Sequence, residues 1–221
     1  MPCRITSSLD VAGLCRLASH QANNLYPDGQ PVPADGLHGS AQQAMARLEH
    51  CFAHIDNKYF FDGSRAVFDH LHGDQYAMWL YWLSNQLHRD GAPVNWCKKL
   101  FLLNKSLHGC DIFHEVALPS VFLLVHPLGT VLGRAEYSDH LLVYQRCGVG
   151  SNHDIYPRLG RHLSLRPGSA VLGRCTIGDQ VTVAAESLVL DRDIADNTTY
   201  IGNPRDHVMH ARSSTEAIWR I

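Results

Sequence analysis

An aspartate and a histidine near the middle of the chain have side chains that could act together in catalysis. Asp111 and His126 stand fifteen residues apart. A neutral imidazole near its own pKa can remove the proton of an alcohol as the alcohol attacks a carbonyl. A carboxylate on the other ring nitrogen would fix the tautomer and stabilise the imidazolium that forms. The pair is a candidate for general-base catalysis. The alternative is that Asp111 caps a turn and His126 is a solvated corner residue.

Such a pair needs a framework, and a repeat of six residues predicts one. A helix returns its apolar residues about every 3.6 positions and a strand about every 2, so a period of six fits neither. It is typical of a prism-shaped coil with one short strand on each face, an aliphatic residue inside and a small residue near each corner. The aliphatic positions of the clearest stretch are Leu159, Leu165, Val171, Ile177, Val183 and Val189.

The same period extends towards the N-terminus, in two further runs. They are Ile112, Leu118 and Leu124, then Val131, Tyr137, Val143 and Val149. The step of seven from Leu124 to Val131 predicts a single inserted residue at His126-Pro127, and residues 150–158 are predicted to leave the prism as a loop. Residues 112–190 are expected to make about four coils of about eighteen residues. Asp111 and His126 therefore fall on neighbouring coils.

The first half of the chain has helical patterns instead. Ser7 or Ser8 is a candidate N-cap for a first helix, and residues 27–39 are rich enough in Pro and Gly to predict a loop. Ser40 and Gln43 resemble a capping box that opens a second helix. A later stretch, DQYAMWLYWLSNQLHR, is apolar on nearly all sides, which predicts a helix buried between other helices or subunits.

The two patterns together predict an α+β fold with a division near residue 110. We expect an α-helical domain over residues 1–110, a β-helix domain over 111–205 and a C-terminal tail over 206–221.

Composition limits the possible partners. The formal net charge of -2 gives neither a basic surface for nucleic acid nor a polybasic membrane patch. The sequence has no run of 18 or more apolar residues and begins without the apolar core of a signal peptide, so a cytoplasmic location is expected. The seven cysteines form no CxxC pair and are read as reduced thiols.

Taken together, these features resemble the hexapeptide-repeat acyltransferases, and the helical half is similar to one branch, the serine acetyltransferases. The similarity extends from about Phe60 to Arg205. Its specific parts are the aromatic stretch DQYAMWLYWLSNQLH; Asp-Ile-Phe at 111–113, where the family has Asp-Ile-His-Pro; the spacing of Asp111 and His126, as in the family's catalytic pair; and Tyr-Ile-Gly-Asn-Pro-Arg at 200–205, close to the family's Gly-Asn-Pro-Ala-Arg ending.

This resemblance implies a left-handed parallel β-helix and an acetyl-CoA-dependent O-acetyltransferase, with His126 as the base and Asp111 as its partner. Acetyl-CoA would be a co-substrate, with no metal, in a cleft between the coils of two subunits of a homotrimer or a dimer of trimers. The helical domain would serve in oligomerisation and supply part of the acceptor site. The positions aligned with that cleft are Gly150, Pro167, Ala185, Gly202, Asn203 and Pro204. Ordinary turn chemistry is the alternative for each of them.

Departures from the family pattern leave the acceptor open. The family has an aspartate before the catalytic histidine, where this chain has Val125, and an Arg-His pair in its protruding loop, which aligns here with Ile155-Tyr156. An amino-acid acceptor needs a cation for its carboxylate and an anion for its ammonium group. Candidate substrate-binding residues are Arg158 or His153 for the cation, Asp62 for the anion, and Tyr156. The acceptor is therefore serine, a related small alcohol or a sugar hydroxyl.

Two readings from other classes remain at this point. The chain has fifteen histidines, and His126, His140 and His153 are conceivable ligands of a zinc enzyme related to the β-helical carbonic anhydrases. Their spacing is not a recognised ligand pattern. The altered acceptor residues also fit an inactive scaffold that uses the flat faces of the prism for assembly. No Gly-rich phosphate-binding motif is present, which argues against a dinucleotide or nucleoside triphosphate site.

Overall fold

The computed structural model describes residues 5–212 and 217–220, and the chain divides into two compact units. The helical unit comprises Met1–His108, Ile112–Glu115 and Arg220–Ile221, and the coiled unit comprises Gly109–Asp111 and Val116–Trp219. Cys3 and residues 213–216 and 221 of the predicted tail lie outside the described residues.

Four helices and a pair of very short strands build the helical unit. The helices are α1 (Val11–Leu25), α2 (Ala34–Ala53), α3 (Gly73–Arg89) and α4 (Val94–His108), and the parallel strands are β1 (Thr6–Ser7) and β2 (Val67–Phe68). Helix α3 packs against both α2 and α4, and α1 packs against α2. The prediction of a helix with buried residues on all sides is confirmed, because every residue of α3 from Gln75 to Leu87 is buried.

Two predicted helix starts were wrong. Helix α1 is capped by Asp10, whose carboxylate accepts a hydrogen bond from the Gly13 N–H at 2.6 Å, and not by Ser7 or Ser8. Helix α2 begins at Ala34, inside the predicted loop, and places Ser40 within the helix. The Ser40 hydroxyl donates to Asp90 at 2.7 Å. A serine that resembles a cap in sequence can equally bond to a neighbouring element, and tertiary packing decides between the two.

Three parallel sheets form the faces of the coiled unit. One face stacks β3 (Phe122–Leu124), β5 (Leu141–Val143), β8 (Ser164–Leu165), β11 (Thr182–Val183) and β13 (Thr198–Ile201). A second stacks β4 (Val131–Leu132), β6 (Gly148–Gly150), β9 (Ala170–Leu172) and β12 (Leu188–Leu190). The third contains β7 (Arg158–Leu159) and β10 (Thr176–Ile177). The chain then reverses through β14 (Val208–Ala211), which is antiparallel to β13.

The aliphatic residues of the repeat form columns inside the prism, as predicted. On the first face, Leu124, Val143, Leu165 and Val183 pair in register and all are 0% exposed. Leu165 pairs with Val183, eighteen residues later, which is one turn of the coil. The column ends on Tyr200, which pairs with Val183 and is also 0% exposed. Burial of these side chains stabilises the stack of coils.

The predicted register fails at one position. Val131 is 49% exposed, whereas Leu132 is 1% exposed and pairs with Val149. The step from Leu124 is therefore eight residues and not seven, so the turn that starts at His126 has two additional residues. The loop predicted after Val149 is confirmed. Val149 pairs with Val171, twenty-two residues later, which is four more than the eighteen residues between Leu165 and Val183, and the additional residues lie in the loop after Gly150. A repeat period alone could not distinguish two adjacent apolar residues.

Left-handed backbone conformations recur at the corners of the prism. His126, Arg146 and Glu186 have φ of 49°, 57° and 56° at one edge, and His140, His162 and Gln180 have φ of 66°, 58° and 57° at another. Such values are uncommon for residues other than glycine, and here they turn the chain from one face to the next.

Among the described residues, no helix is long and apolar enough to cross a membrane. The described cysteines are all free and buried.

Candidate active site

Asp111 lies on the coil directly beside the turn that follows His126. The Asp111 N–H donates to the Thr130 carbonyl at 2.8 Å, and the Leu132 N–H donates to the Asp111 carbonyl at 3.0 Å. Two residues earlier, the Gly109 carbonyl accepts from the Gly129 N–H at 2.9 Å. The backbone around Asp111 is thus paired in parallel with residues 129–132. The coupling of the Asp111 and His126 side chains stays a prediction.

His126 is presented at the surface by the local backbone. The residue before it, Val125, directly follows β3 and donates its N–H to the Val143 carbonyl at 2.8 Å, and the His126 carbonyl accepts from the Leu128 N–H at 2.7 Å. The left-handed φ of 49° turns His126 out of the strand direction, and the residue is exposed. An exposed imidazole on a tight turn is accessible to a substrate. Asp111 is half-buried.

Most of the predicted donor-binding positions lie on the same edge of the prism as His126. We call this edge the histidine edge, and it consists of the stacked turns 126–130, 144–147, 166–169, 184–187 and 202–204. The turns are joined by backbone hydrogen bonds from Arg146 to Leu128, from Gly168 to Gln145 and from Glu186 to Pro167, at 2.9, 3.0 and 2.9 Å. Pro167, Ala185 and Gly202 occupy successive turns of this edge.

The closing turn of the edge is ordered by its own polar groups. The Gly202 N–H donates to the Ser187 hydroxyl at 2.9 Å, and the Gly202 carbonyl accepts from Leu188 at 3.0 Å. Gly202 has a φ of 102°, a conformation that L side chains rarely adopt. The Asn203 N–H donates to the Asp206 carboxylate at 3.2 Å, and the Pro204 carbonyl lies 3.3 Å from a ring nitrogen of His207.

Gly150 lies at a different edge, where the additional loop leaves the prism. The Gly150 carbonyl accepts from the Gly173 N–H at 3.0 Å. A Cβ at Gly150 would lie 3.7 Å from Leu172, an ordinary van der Waals contact, so the backbone here does not require glycine. His153 is exposed at the tip of the loop with a φ of 50°. Asn152 ties this loop to the prism by a hydrogen bond to Asp191 at 2.6 Å.

The remaining loop candidates are both exposed and already have partners. The Arg158 Nε donates to Glu136 at 3.1 Å, and both side chains are about 70% exposed, at 69% and 72%. Such an exposed ion pair is weak and can be exchanged for a substrate carboxylate. The guanidinium of Arg134 lies 5.6 Å from the centre of the Tyr156 ring, a cation–π arrangement.

Asp62 belongs to the helical unit and orders its own turn. Its carboxylate accepts hydrogen bonds from the Ser64 N–H, the Ser64 hydroxyl and the Arg65 N–H at 2.8 to 2.9 Å. The backbone hydrogen bonds from Ser64 and Arg65 lower the pKa of Asp62. The carboxylate is therefore ionised, as an ammonium partner requires, but one of its oxygens is committed to the turn.

The histidines of the zinc alternative occupy different edges within one protomer. His126 lies on the histidine edge and His153 in the loop at the second edge. His140 lies at the third edge, where its ring stacks on His162 with a centroid separation of 4.3 Å. Within the described part of the chain, these three histidines do not form a metal-binding group.

Sequence reasoning missed two charged residues on the histidine edge. Arg146 and Glu186 form an ion pair between exposed side chains, across the turn that contains Gly168. Arg146 follows Val143 by three positions, and Glu186 follows Val183 by three positions. Val143 and Val183 are the last inward residues of their strands, so the six-residue register would have predicted that Arg146 and Glu186 lie at this edge.

The coils, the helices and the edge carrying His126 define the chain as a hexapeptide-repeat β-helix protein with an N-terminal helical unit. No protein-family model matches it. The serine acetyltransferase of Synechococcus elongatus is 31% identical over 107 residues, which cover 46% of this chain and 43% of the relative. The chain thus spans less than half the length of this curated relative.

Solved structures of serine acetyltransferases have the same fold. The enzyme of Brucella abortus in complex with coenzyme A superimposes with a TM-score of 0.71 at 20% identity, over 95% of this chain and 85% of that one. The Neisseria gonorrhoeae enzyme gives a TM-score of 0.69 at 20% identity, over 93% and 84%. The predicted resemblance to the serine acetyltransferases and the predicted fold class are both confirmed.

Proposed function

We propose that the protein is an acetyl-CoA-dependent O-acetyltransferase that acts on L-serine or a related small hydroxyl compound. His126 is the general base and Asp111 orients its imidazole. The observation that carries the proposal is the backbone pairing of Asp111 with Thr130, which brings an acidic residue beside the turn that begins at His126. Similarity to serine acetyltransferases supports the same assignment.

The reaction needs one proton transfer to His126 and one from it. The neutral imidazole of His126 takes the hydroxyl proton as the acceptor oxygen attacks the thioester carbonyl. The carbon–sulfur bond then breaks, the acetyl group stays on the acceptor oxygen, and the sulfur of coenzyme A leaves with the proton from the imidazolium. Asp111 stabilises the imidazolium in between, as carboxylates do in other base-and-carboxylate pairs.

The donor is proposed to bind along the histidine edge. Pro167, Ala185 and the turn at 202–204 lie there in line with His126, and their backbone groups and small side chains leave the edge accessible. A related structure from Brucella abortus is a complex with coenzyme A. We propose that a second protomer of a homotrimer, or of a dimer of trimers, closes this cleft, as the resemblance implies.

For the acceptor, we propose that Arg158 or His153 supplies the cation and Asp62 the anion, with Tyr156 as a further binding residue. A second candidate is a sugar or polysaccharide precursor. The observation that favours it is the absence of the family's acidic residue at Val125, together with Ile155, an exposed aliphatic residue where the family has a cation. A sugar hydroxyl needs neither charge.

Release of the thiol of coenzyme A, measured with a panel of acceptors, tests the proposal. L-Serine is expected to give the fastest turnover, ahead of homoserine and nucleotide sugars, with the acetylated product identified by mass spectrometry. Faster turnover of a sugar would establish the second candidate. Thiol release with none of the acceptors, in protein with a native circular dichroism spectrum, would contradict the enzyme assignment and support the scaffold.

A further inference from the structure

We propose that His88, His114 and Glu115 form a binding site for a divalent transition-metal ion, with Zn²⁺ as the representative ion. All three residues belong to the helical unit. One ligand atom from each lies within 4.8 Å of the other two. Two imidazoles and a carboxylate are a ligand set that holds Zn²⁺ in proteins and leaves a fourth position for water. This site is separate from the proposed acetyl transfer and does not depend on it.

The buried member of the group is His114. Its side chain is 0% exposed, and neither ring nitrogen has a hydrogen-bond partner. Polar groups that are buried without a partner are uncommon, because their desolvation costs free energy that nothing returns. A metal ion on one ring nitrogen would supply the missing interaction. The orphaned imidazole is therefore the observation that distinguishes this group from a chance cluster of polar residues.

Helix α3 holds the other imidazole in position. The Asn85 side chain donates to the His114 carbonyl at 2.8 Å, so this face of the helix lies against the segment that carries His114. His88 follows Asn85 by three residues and lies on the same face. The ring centroids of His88 and His114 are 5.4 Å apart. The ring centroid of Phe113 lies 4.0 Å from that of His114.

Titratable groups surround His114. Burial lowers the pKa of His114, the neighbouring His88 and Lys98 lower it further, and Glu115 raises it. A neutral imidazole is the form that coordinates a metal ion. Glu115 supplies the negative charge that offsets the nearby Lys98.

Only a small rearrangement would close the site. Ligand bonds of about 2.0 to 2.1 Å place tetrahedral ligand atoms about 3.3 Å from one another. The His114 Nε2 and the Glu115 Oε1 are 4.0 Å apart. His88 and Glu115 are exposed, so their side chains can change rotamer without disturbing the core. The solvent side supplies the fourth ligand and the route of entry.

Metal binding to the untagged, chelator-treated full-length protein tests the proposal. Isothermal titration with Zn²⁺ is expected to give one saturable site per chain, and Co²⁺ is expected to give the visible absorption of a coordinated ion. The variants His88→Ala and Glu115→Gln change exposed residues and should fold normally. Each is expected to weaken the binding of Zn²⁺ at least about tenfold. His114→Gln is expected to abolish it.

His38→Ala provides the matched control, because His38 is an exposed histidine on α2 outside the group. It should bind Zn²⁺ as the unmodified chain does. Loss of Zn²⁺ affinity in the His88 and Glu115 variants, with unchanged affinity in His38→Ala, would establish the site. The proposal would be overturned by the absence of a saturable site, or by unchanged affinity in the double variant His88→Ala, Glu115→Gln. Normal acetyl transfer in these variants would leave the two proposals independent.

Discussion

The N–H of Asp111 is bonded to the carbonyl of Thr130 at 2.8 Å, across two adjacent coils of the prism. This bond belongs to the ladder that holds successive coils together, so the position of Asp111 is set by the main chain. The backbone of Asp111 therefore keeps its place even when the side chain of the base is changed. The catalytic pair can therefore be altered one member at a time, with the coil intact.

His126→Asn is the sharpest test of the general base. Asparagine tolerates the left-handed conformation of this position, φ 49°, better than alanine does, so the turn should survive. Because the base is lost, we expect acetyl transfer to fall at least about a hundredfold. Steady-state thiol release provides the measurement. Asp111→Asn should reduce kcat by a smaller factor, since the base remains but its orientation is lost.

Gln180→Asn is the control for the backbone of that variant. Gln180 has a φ of 57° at another edge of the prism, so the substitution tests the effect of asparagine in a left-handed turn away from the histidine edge. Its turnover should equal that of the unmodified protein. Wild-type turnover in His126→Asn would remove the proposed mechanism, whatever Gln180→Asn does.

Arg158 is expected to act on the acceptor and not on the donor. Its exposed ion pair with Glu136 leaves the guanidinium available to a carboxylate. Arg158→Ala should raise the KM for L-serine about tenfold or more and leave the KM for acetyl-CoA within about twofold, since charge-assisted hydrogen bonds contribute about 1.5 to 3 kcal/mol. Arg174→Ala removes another exposed arginine and should change neither value. Equal KM changes for both substrates would contradict an acceptor role.

Leu165 tests whether the inward columns stabilise the coil. It is 0% exposed and lies between Val143 and Val183. Leu165→Ala would leave a cavity that the stacked strands cannot close, and the expected loss is about 2 to 5 kcal/mol in the free energy of unfolding. Leu71→Ala is the control, because Leu71 is 80% exposed, and its effect should stay within about 0.5 kcal/mol. Urea unfolding followed by circular dichroism distinguishes the two.

The period of six was sufficient to predict the inward residues from Leu159 to Val189, because an aliphatic residue at the wrong face would be exposed in every coil. It was insufficient at Val131 and Leu132, two neighbouring apolar residues of which only one can point inward.

The helix starts were also misplaced, since Ser40 bonds to Asp90 on another element, a contact that local sequence does not encode. The candidate sites show the same difference between local and tertiary information. The spacing in the sequence predicted that Asp111 lies on the coil next to the turn after His126, whereas the hydrogen bond of Asn85 with His114 depends on tertiary structure.

The loop between α1 and α2 is held by a buried lysine, and its stability should depend on pH. The ammonium group of Lys99 donates to the Asp28 carboxylate and to the carbonyls of Tyr26 and Gln30, the latter at 3.1 and 2.6 Å. The hydrogen bond from Lys99, with a second from the Gln30 N–H, lowers the pKa of Asp28 from its ordinary value of 3.8. Because the folded state binds the proton more weakly than the unfolded chain, Asp28 stabilises the fold above about pH 4. This stabilisation is lost as the pH falls through the lower pKa of the folded state.

Asp28→Asn should therefore be less stable than the unmodified protein near neutral pH, and the difference should shrink as the solution is acidified below about pH 4. Urea midpoints measured over a series of pH values provide the test. Asp62 and Asp191 also have lowered pKa values, so the variant should retain part of the acid sensitivity. In a Lys99→Met background the same substitution should have a smaller effect, because the group that lowers the pKa of Asp28 most is gone and only the hydrogen bond from the Gln30 N–H remains. A difference that stays constant from neutral to acidic pH would show that Asp28 and Lys99 are not coupled, and that the loop is held by the two carbonyls alone.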